Sequence, residues 1–239
     1  MARTILFAGT TRDAGVDALV TALCRAAGDA GWHVVPFAGL APGPVGADVA
    51  PAVRTQALAA GVAPTPALSP VVRTPDGALS VDGESLGVPE GYYDERWGRA
   101  RAAVERAHDR LASRADLVLA GAYEPLSEGG VDGPPLGSAA LARVADADVV
   151  LLADAGDGGA FASLVGTLAV LPPALRDRVG ACVLTRVPEA DREPLGRRVK
   201  QFEAEVGRPV CGLLPPLATG TVDDAARAVD RGLTLPFAL

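Results

Sequence analysis

Near the amino terminus the sequence reads Gly9-Thr10-Thr11-Arg12-Asp13-Ala14-Gly15-Val16-Asp17, set between an apolar run, Thr4 to Ala8, and a helical pattern, Ala18 to Ala27. Strand, glycine-bounded loop and helix is the layout of a phosphate-binding loop, in which backbone N–H groups and the helix start face a phosphate. A loop working on a nucleoside triphosphate ends Gly-Lys-Ser/Thr, with the lysine on the outer phosphates and the hydroxyl on Mg2+. Here those positions are Val16 and Asp17. Valine has no charge to offer phosphate, and an aspartate beside the site repels it. The sole lysine of the chain, Lys200, belongs to a distant helical stretch. Gly9, Thr10, Thr11, Arg12, Asp13, Gly15, Val16 and Asp17 are therefore expected to form a degenerate nucleotide site, and no catalytic residue or metal ligand is assigned.

Other side chains capable of chemistry are few. Asp154 and Asp157 stand in Asp154-Ala155-Gly156-Asp157-Gly158-Gly159, at the end of an apolar run. Glu124, Ser127, Glu128 and Asp132 follow the third strand of the pattern. In open α/β sheets ligands sit beyond the carboxyl ends of the strands, so Asp154, Asp157, Glu124 and Glu128 are the candidate ligand-facing residues, the alternative for the last two being a flexible surface loop. His33 reads as a strand-start residue and His108 as part of the polar side of a helix. Cys24, Cys182 and Cys211 have no metal-ligand spacing, and each lies in an apolar context that suits a buried structural thiol.

The elements that must position these residues alternate. Apolar runs at 31–37, 116–122, 147–153, 180–185 and 209–214 read as strands after the first, and helical patterns at 52–61, 92–114, 160–171 and 194–206 separate them, with a further helical piece ending at Val144. In the 92–114 stretch Trp97, Ala100, Val104, Ala107 and Leu111 recur at spacings of three and four, the pattern of a core-facing stripe. Continuously apolar strands alternating with helices predict an α/β fold with a doubly wound, mostly parallel sheet and helices on both faces. Residues 1–220 are expected to form one domain. Within it the Pro/Gly-rich stretch 62–91, with Pro75-Asp76-Gly77 between two short runs, predicts a hairpin inserted in the sheet, and 221–239 a C-terminal tail with a helical turn or more.

With 239 residues and an apolar fraction of 49% the chain can bury a sizeable core. A net charge of -7 without a basic run argues against a nucleic-acid binder. Met1 to Ile5 leads straight into the first strand without a leader-type segment, and no run has the length of a membrane span, so a cytoplasmic protein without membrane association is expected.

Several segments together resemble the N-terminal half of adenosylcobyric acid synthase: Gly-Thr-Thr-x-Asp-Ala-Gly followed by Leu19 to Arg25, Arg54-Thr55-Gln56-Ala57, Pro70-Val71, Gly158 to Leu168 and Gly207-Arg208-Pro209-Val210, in order over residues 3 to 217. The resemblance implies a P-loop NTPase-like fold of the dethiobiotin synthetase kind. It also implies ATP and Mg2+ as cofactors, used to activate a carboxylate as an acyl phosphate that ammonia turns into an amide on a corrin ring. A glutaminase half normally supplies the ammonia, and the chain is expected to lack it.

Measured against that family, the departures gather at the expected chemistry. The P-loop lysine is Val16 and its hydroxyl partner Asp17; a second phosphate-contacting lysine is Ala38; acidic residues are replaced by Pro51 and Ala120; the Asn-Lys that helps hold adenine is Thr185-Arg186; and the family's arginine is Asp157. Asp13 and Asp154 are retained, and Arg12 is new. Core segments stay close while site positions change, which implies a kept fold and abandoned ATP chemistry. The expectation is a non-catalytic relative without bound cofactor, binding a small molecule such as a corrinoid or a protein partner. That partner would be a second copy or a homologous ligase or glutaminase subunit. The alternative is an ATP-dependent amide ligase with Arg12 on the phosphates and Asp13, Asp17 and Asp154 on Mg2+.

Overall fold

The structure, a computed structural model, describes residues 2–91, 93–128, 136–156, 158–217 and 220–235. Strand β1 (Arg3–Gly9) runs through the loop into helix α1 (Val16–Asp29), and β2 (Val34–Phe37) follows. A short β3 (Ala41–Pro42) precedes α2 (Pro51–Ala59), then β4 (Val71–Arg73), β5 (Leu79–Val81), β6 (Glu84–Gly87) and the long α3 (Glu95–Ala112). The second half alternates as β7 (Leu117–Gly121), α4 (Ser138–Val144), β8 (Asp148–Asp154), α5 (Ala160–Val170), α6 (Pro173–Arg176), β9 (Val179–Thr185), α7 (Arg192–Val206), β10 (Val210–Leu213) and α8 (Val222–Gly232).

Six strands form one parallel sheet in the order β10-β9-β8-β1-β7-β2. Successive side chains of β1 point to opposite faces: Ile5 and Phe7 meet Leu19 and Val20 of α1 and Val229 of α8, while Leu6 and Ala8 join Val104 of α3, Leu141 of α4, Leu164 of α5 and Phe202 of α7. Both faces are thus covered by helices, which is why the central strands are apolar without alternation. The doubly wound parallel sheet expected from the sequence is the fold observed. The order reverses beside β1: the chain passes from β1 to β2 with β7 between them, and β8 pairs on the other side. The loops after β1, β7 and β8 therefore open at one edge.

The hairpin is present, with β4 and β5 antiparallel about a turn in which Gly77 has φ 89°. It is not inserted in the parallel sheet, however. With β3 and β6 it makes a separate four-stranded sheet in the order β3-β4-β5-β6. Three-residue strands of this kind need an apolar side to rest on, and Val71, Val72 and Leu79 join the core against α3.

His108 also departs from expectation. It is buried at 4% exposure, its Nε2 lies 2.8 Å from the Thr4 hydroxyl, and its ring lies 5.7 Å from that of Phe37. Val104 and His108 are one helical turn apart and share a face, so the apolar stripe of α3 continues through the histidine. Residues 222–232 form a full helix, started by Thr221, whose hydroxyl accepts from the Asp224 N–H while the Asp224 carboxylate accepts from the Thr221 N–H. That helix lies on α1, and Leu233 bridges to Gly212 beside it. Among the described residues no helix is long and apolar enough to cross a membrane.

Candidate functional site

The loop between β1 and α1 begins with a glycine for a steric reason. A Cβ on Gly9 would lie 2.2 Å from the Thr11 carbonyl oxygen and 2.8 Å from the Ala14 Cβ. The loop is tied down at its base by the Thr10 N–H, which donates to the Leu152 carbonyl at 2.8 Å, and by the Thr10 hydroxyl, which donates to Ser163 Oγ on α5 at 3.1 Å. At its end Gly15 takes a left-handed conformation, φ 84°, as residue before α1, and no side chain caps the helix. The same arrangement recurs at α5, which Gly159 precedes with φ 74° and again without a side-chain cap. Two helix starts with open backbone donors thus meet beyond the ends of β1 and β8.

The side chains around those donors are distributed unevenly. Val16 is buried at 5% exposure and packs with Leu19 and Val20; its methyl carbon lies 3.6 Å from where a Cβ on Gly121 would stand. Val16, where a working phosphate loop has its lysine, is thus part of the core. Asp17 has an open edge in the first turn of α1, and desolvation raises its carboxyl above the ordinary value. Thr11, Arg12 and Asp13 are exposed at the loop tip. Arg12 leans over the Tyr123 ring, its guanidinium carbon 5.2 Å from the centroid.

Asp154 ends β8, half-buried, with both carboxylate oxygens engaged. One carboxylate oxygen accepts the Gly156 N–H at 2.8 Å, and the other pairs with the Arg186 guanidinium. Arg186 follows β9 with φ 52°, in the left-handed region unusual for a side-chain-bearing residue. Its neighbour Thr185 is buried and donates its hydroxyl to the Ala14 carbonyl at 2.8 Å. Asp157 and Asp132 lie outside the described residues. Among the described residues, no group of three or more His, Cys, Asp or Glu side chains is arranged to hold a metal ion. Asp13, Asp17 and Asp154 are not such a group.

The sequence reading allowed Glu124 and Glu128 one common surface loop. The structure separates them. Glu128 is exposed at the end of a short 3-10 turn, Leu126–Glu128, whereas Glu124 is buried at 8% exposure. Glu124 Oε1 lies 3.9 Å from Arg73 Nη1, and its Oε2 is covered and unpartnered. Glu124 and Arg73, with Arg12 and Tyr123, line a cleft of about 690 Å³ between the loop tip, the hairpin turn and the start of α2, and Glu128 does not. Arg73 and Tyr123 carry no motif in the sequence. The only local signal for Arg73 is a charge closing the apolar run Val71-Val72.

The cysteines behave as structural thiols. Burial pushes Cys24, Cys182 and Cys211 each up to about 12, so the thiolate form is scarce near neutrality.

No protein-family model matches the chain. Curated relatives do. A probable cobyric acid synthase of Halobacterium salinarum is 36% identical over 256 residues, which cover 98% of this chain and 49% of the relative. Cobyric acid synthases of Geobacillus thermodenitrificans and Gloeothece citriformis are 34% and 33% identical, covering 93% and 89% of this chain but 47% and 45% of theirs. The chain spans about half the length of the curated relatives it matches. Among solved structures, the signal recognition particle receptor FtsY from Elizabethkingia anophelis in complex with GDP superposes with a TM-score of 0.59 at 15% identity, over 96% of this chain and 63% of that one. Chloroplast FtsY from Physcomitrella patens gives 0.53 at 18% identity, over 96% and 65%. These likenesses establish the fold, that of P-loop NTPases, and nothing finer.

Proposed function

We propose, from the premise that this is a cobyric acid synthase-like chain spanning about half the length of the relatives it matches, that it keeps the family's fold without its ATP chemistry. Its role is then to bind a small molecule or a protein partner at the carboxyl ends of the parallel strands, within corrinoid metabolism. The observation that carries this reading is Val16, buried against Val20 and Gly121 where the family places its phosphate-binding lysine.

The other side chains support it. Mg·ATP needs cations on its phosphates and carboxylate or hydroxyl oxygens on its metal, since phosphoryl transfer depends chiefly on electrostatic stabilisation. Val16 supplies no charge, Asp17 opposes phosphate, and Asp154 is neutralised by Arg186. Thr185 spends its hydroxyl on the Ala14 carbonyl instead of reaching outward. These residues do not suit the cofactor.

Isothermal titration with ATP plus Mg2+ tests the reading, with a corrinoid diamide titrated separately. The expected result is no heat from ATP at micromolar concentrations. Micromolar ATP binding would overturn it. Heat from the corrinoid alone identifies a small-molecule binder, and silence from both directs the search to a protein partner.

A further inference from the structure

We propose that the cleft beside the loop tip binds a small carboxylic acid that also carries a neutral hydrogen-bond donor, with Arg12 and Arg73 facing the carboxylate and Glu124 accepting from the donor. The inference rests on the small-molecule form of the function proposed above and names the chemistry of its ligand.

Three observations meet in one place. First, Glu124 is a buried acid that is incompletely satisfied: Arg73 Nη1 stands 3.9 Å from Oε1, beyond hydrogen-bond range, and Oε2 has no partner. Removing a carboxylate from water is unfavourable unless its oxygens are bonded, so a buried carboxylate this poorly bonded at a cleft wall gains from a ligand donor. Second, Arg12 is exposed and held over the Tyr123 ring at the cleft wall, where it makes no ion pair with any described residue. An arginine fixed on an aromatic face presents its planar fork to a carboxylate. Third, the cleft has room for such a ligand, about 690 Å³, within the range of small-molecule sites.

The charges select the ligand. Arg12 and Arg73 against Glu124 leave the wall with one net positive charge, which a monocarboxylate balances. A dicarboxylate would place its second charge against Glu124. An ammonium would approach Arg73, which already lies beside Oε1. A neutral donor such as an amide N–H avoids both repulsions. Glu124 lines the cleft, and its Oε1, which no described residue hydrogen-bonds, is the oxygen that accepts from the ligand's donor.

The test compares glutaramate with glutarate, two probes of equal length that differ by an amide in place of one carboxylate. Ligand-observed NMR titration suits the millimolar affinities of such small probes. The expected result is that glutaramate binds about tenfold tighter than glutarate, a difference of about one charge-mismatched contact. In Glu124→Gln, which keeps the shape of the side chain, the preference falls to about onefold. Arg12→Ala, an exposed position that leaves folding intact, weakens both probes together. Equal binding of the two probes by the wild-type protein, no binding of either, tighter binding of 5-aminovalerate than of glutaramate, or an unchanged preference in Glu124→Gln would each overturn the proposal. Those failures leave the ATP titration untouched, so the two readings fail separately.

Discussion

Thr185, the last residue of β9, donates its hydroxyl to the carbonyl of Ala14, one residue before the glycine that starts α1, across 2.8 Å. The hydroxyl is buried, with the Ala153 carbonyl 3.3 Å away as a second acceptor. That bond fastens the phosphate-type loop to β9, with β8 lying between it and β1. Thr185→Val keeps the shape and removes the donor, leaving a buried carbonyl without its partner. The expected loss is about 1–3 kcal/mol of unfolding free energy, read from urea melts. An unchanged midpoint would mean that water takes over the bond.

Gly9 and Gly166 predict opposite outcomes for the same substitution. Gly9→Ala sets a methyl 2.2 Å from the Thr11 carbonyl oxygen, so the loop must rearrange, and a loss of about 2–3 kcal/mol is expected. Gly166 lies inside α5 with nothing within 4 Å of an added Cβ. Gly166→Ala should stabilise the protein by about 0.5–1 kcal/mol, because alanine restricts the unfolded chain and favours helix. Thermal melts of the two variants should move in opposite directions.

Asp154→Ala deprives both Arg186 and the Gly156 N–H of their acceptor. The segment between β8 and α5 should loosen, with faster hydrogen exchange at Gly156 and a stability loss of about 1–2 kcal/mol. Protection at Gly156 equal to wild type would show that the carboxylate does not organise that turn.

His108 links stability to acidity. Its pKa is lowered from 6.5, chiefly by burial, with a nearby Asp109 carboxylate opposing the shift. The unfolded chain therefore binds a proton at higher pH than the folded one. The contribution of the neutral ring is fully present above pH 6.5 and is lost as the pH falls from there through the folded-state value, with a slope of at most about 1.4 kcal/mol per pH unit. His108→Gln, which can still bond the Thr4 hydroxyl, should flatten that part of the stability profile. A profile unchanged in the variant would assign the acid sensitivity to other groups.

Most of the fold was legible because it rests on patterns a linear sequence carries. The runs around Leu117 to Gly121 and Val149 to Ala153 are too continuously apolar for anything but doubly covered strands, and Pro75-Asp76-Gly77 specifies its turn locally. That Val16 and Asp17 close the glycine-bounded loop was equally visible, since residue type is read directly. His108 looks polar in sequence because Arg and Asp flank it, yet it lies on the stripe that passes through Val104.

What the sequence by itself determined was therefore the parallel sheet, the position of the glycine-bounded loop and the presence of Val16 and Asp17 at its end. These follow from residue type and spacing alone. Only the tertiary structure decided that Asp154 is held by Arg186, that Val16 turns into the core beside Gly121, and that Glu124 lies under Arg73 beside the cleft Arg12 lines. Each of those relationships joins elements far apart in the chain. Which partner a charged side chain meets is set by strand order and loop direction, and neither can be read from its neighbours in sequence.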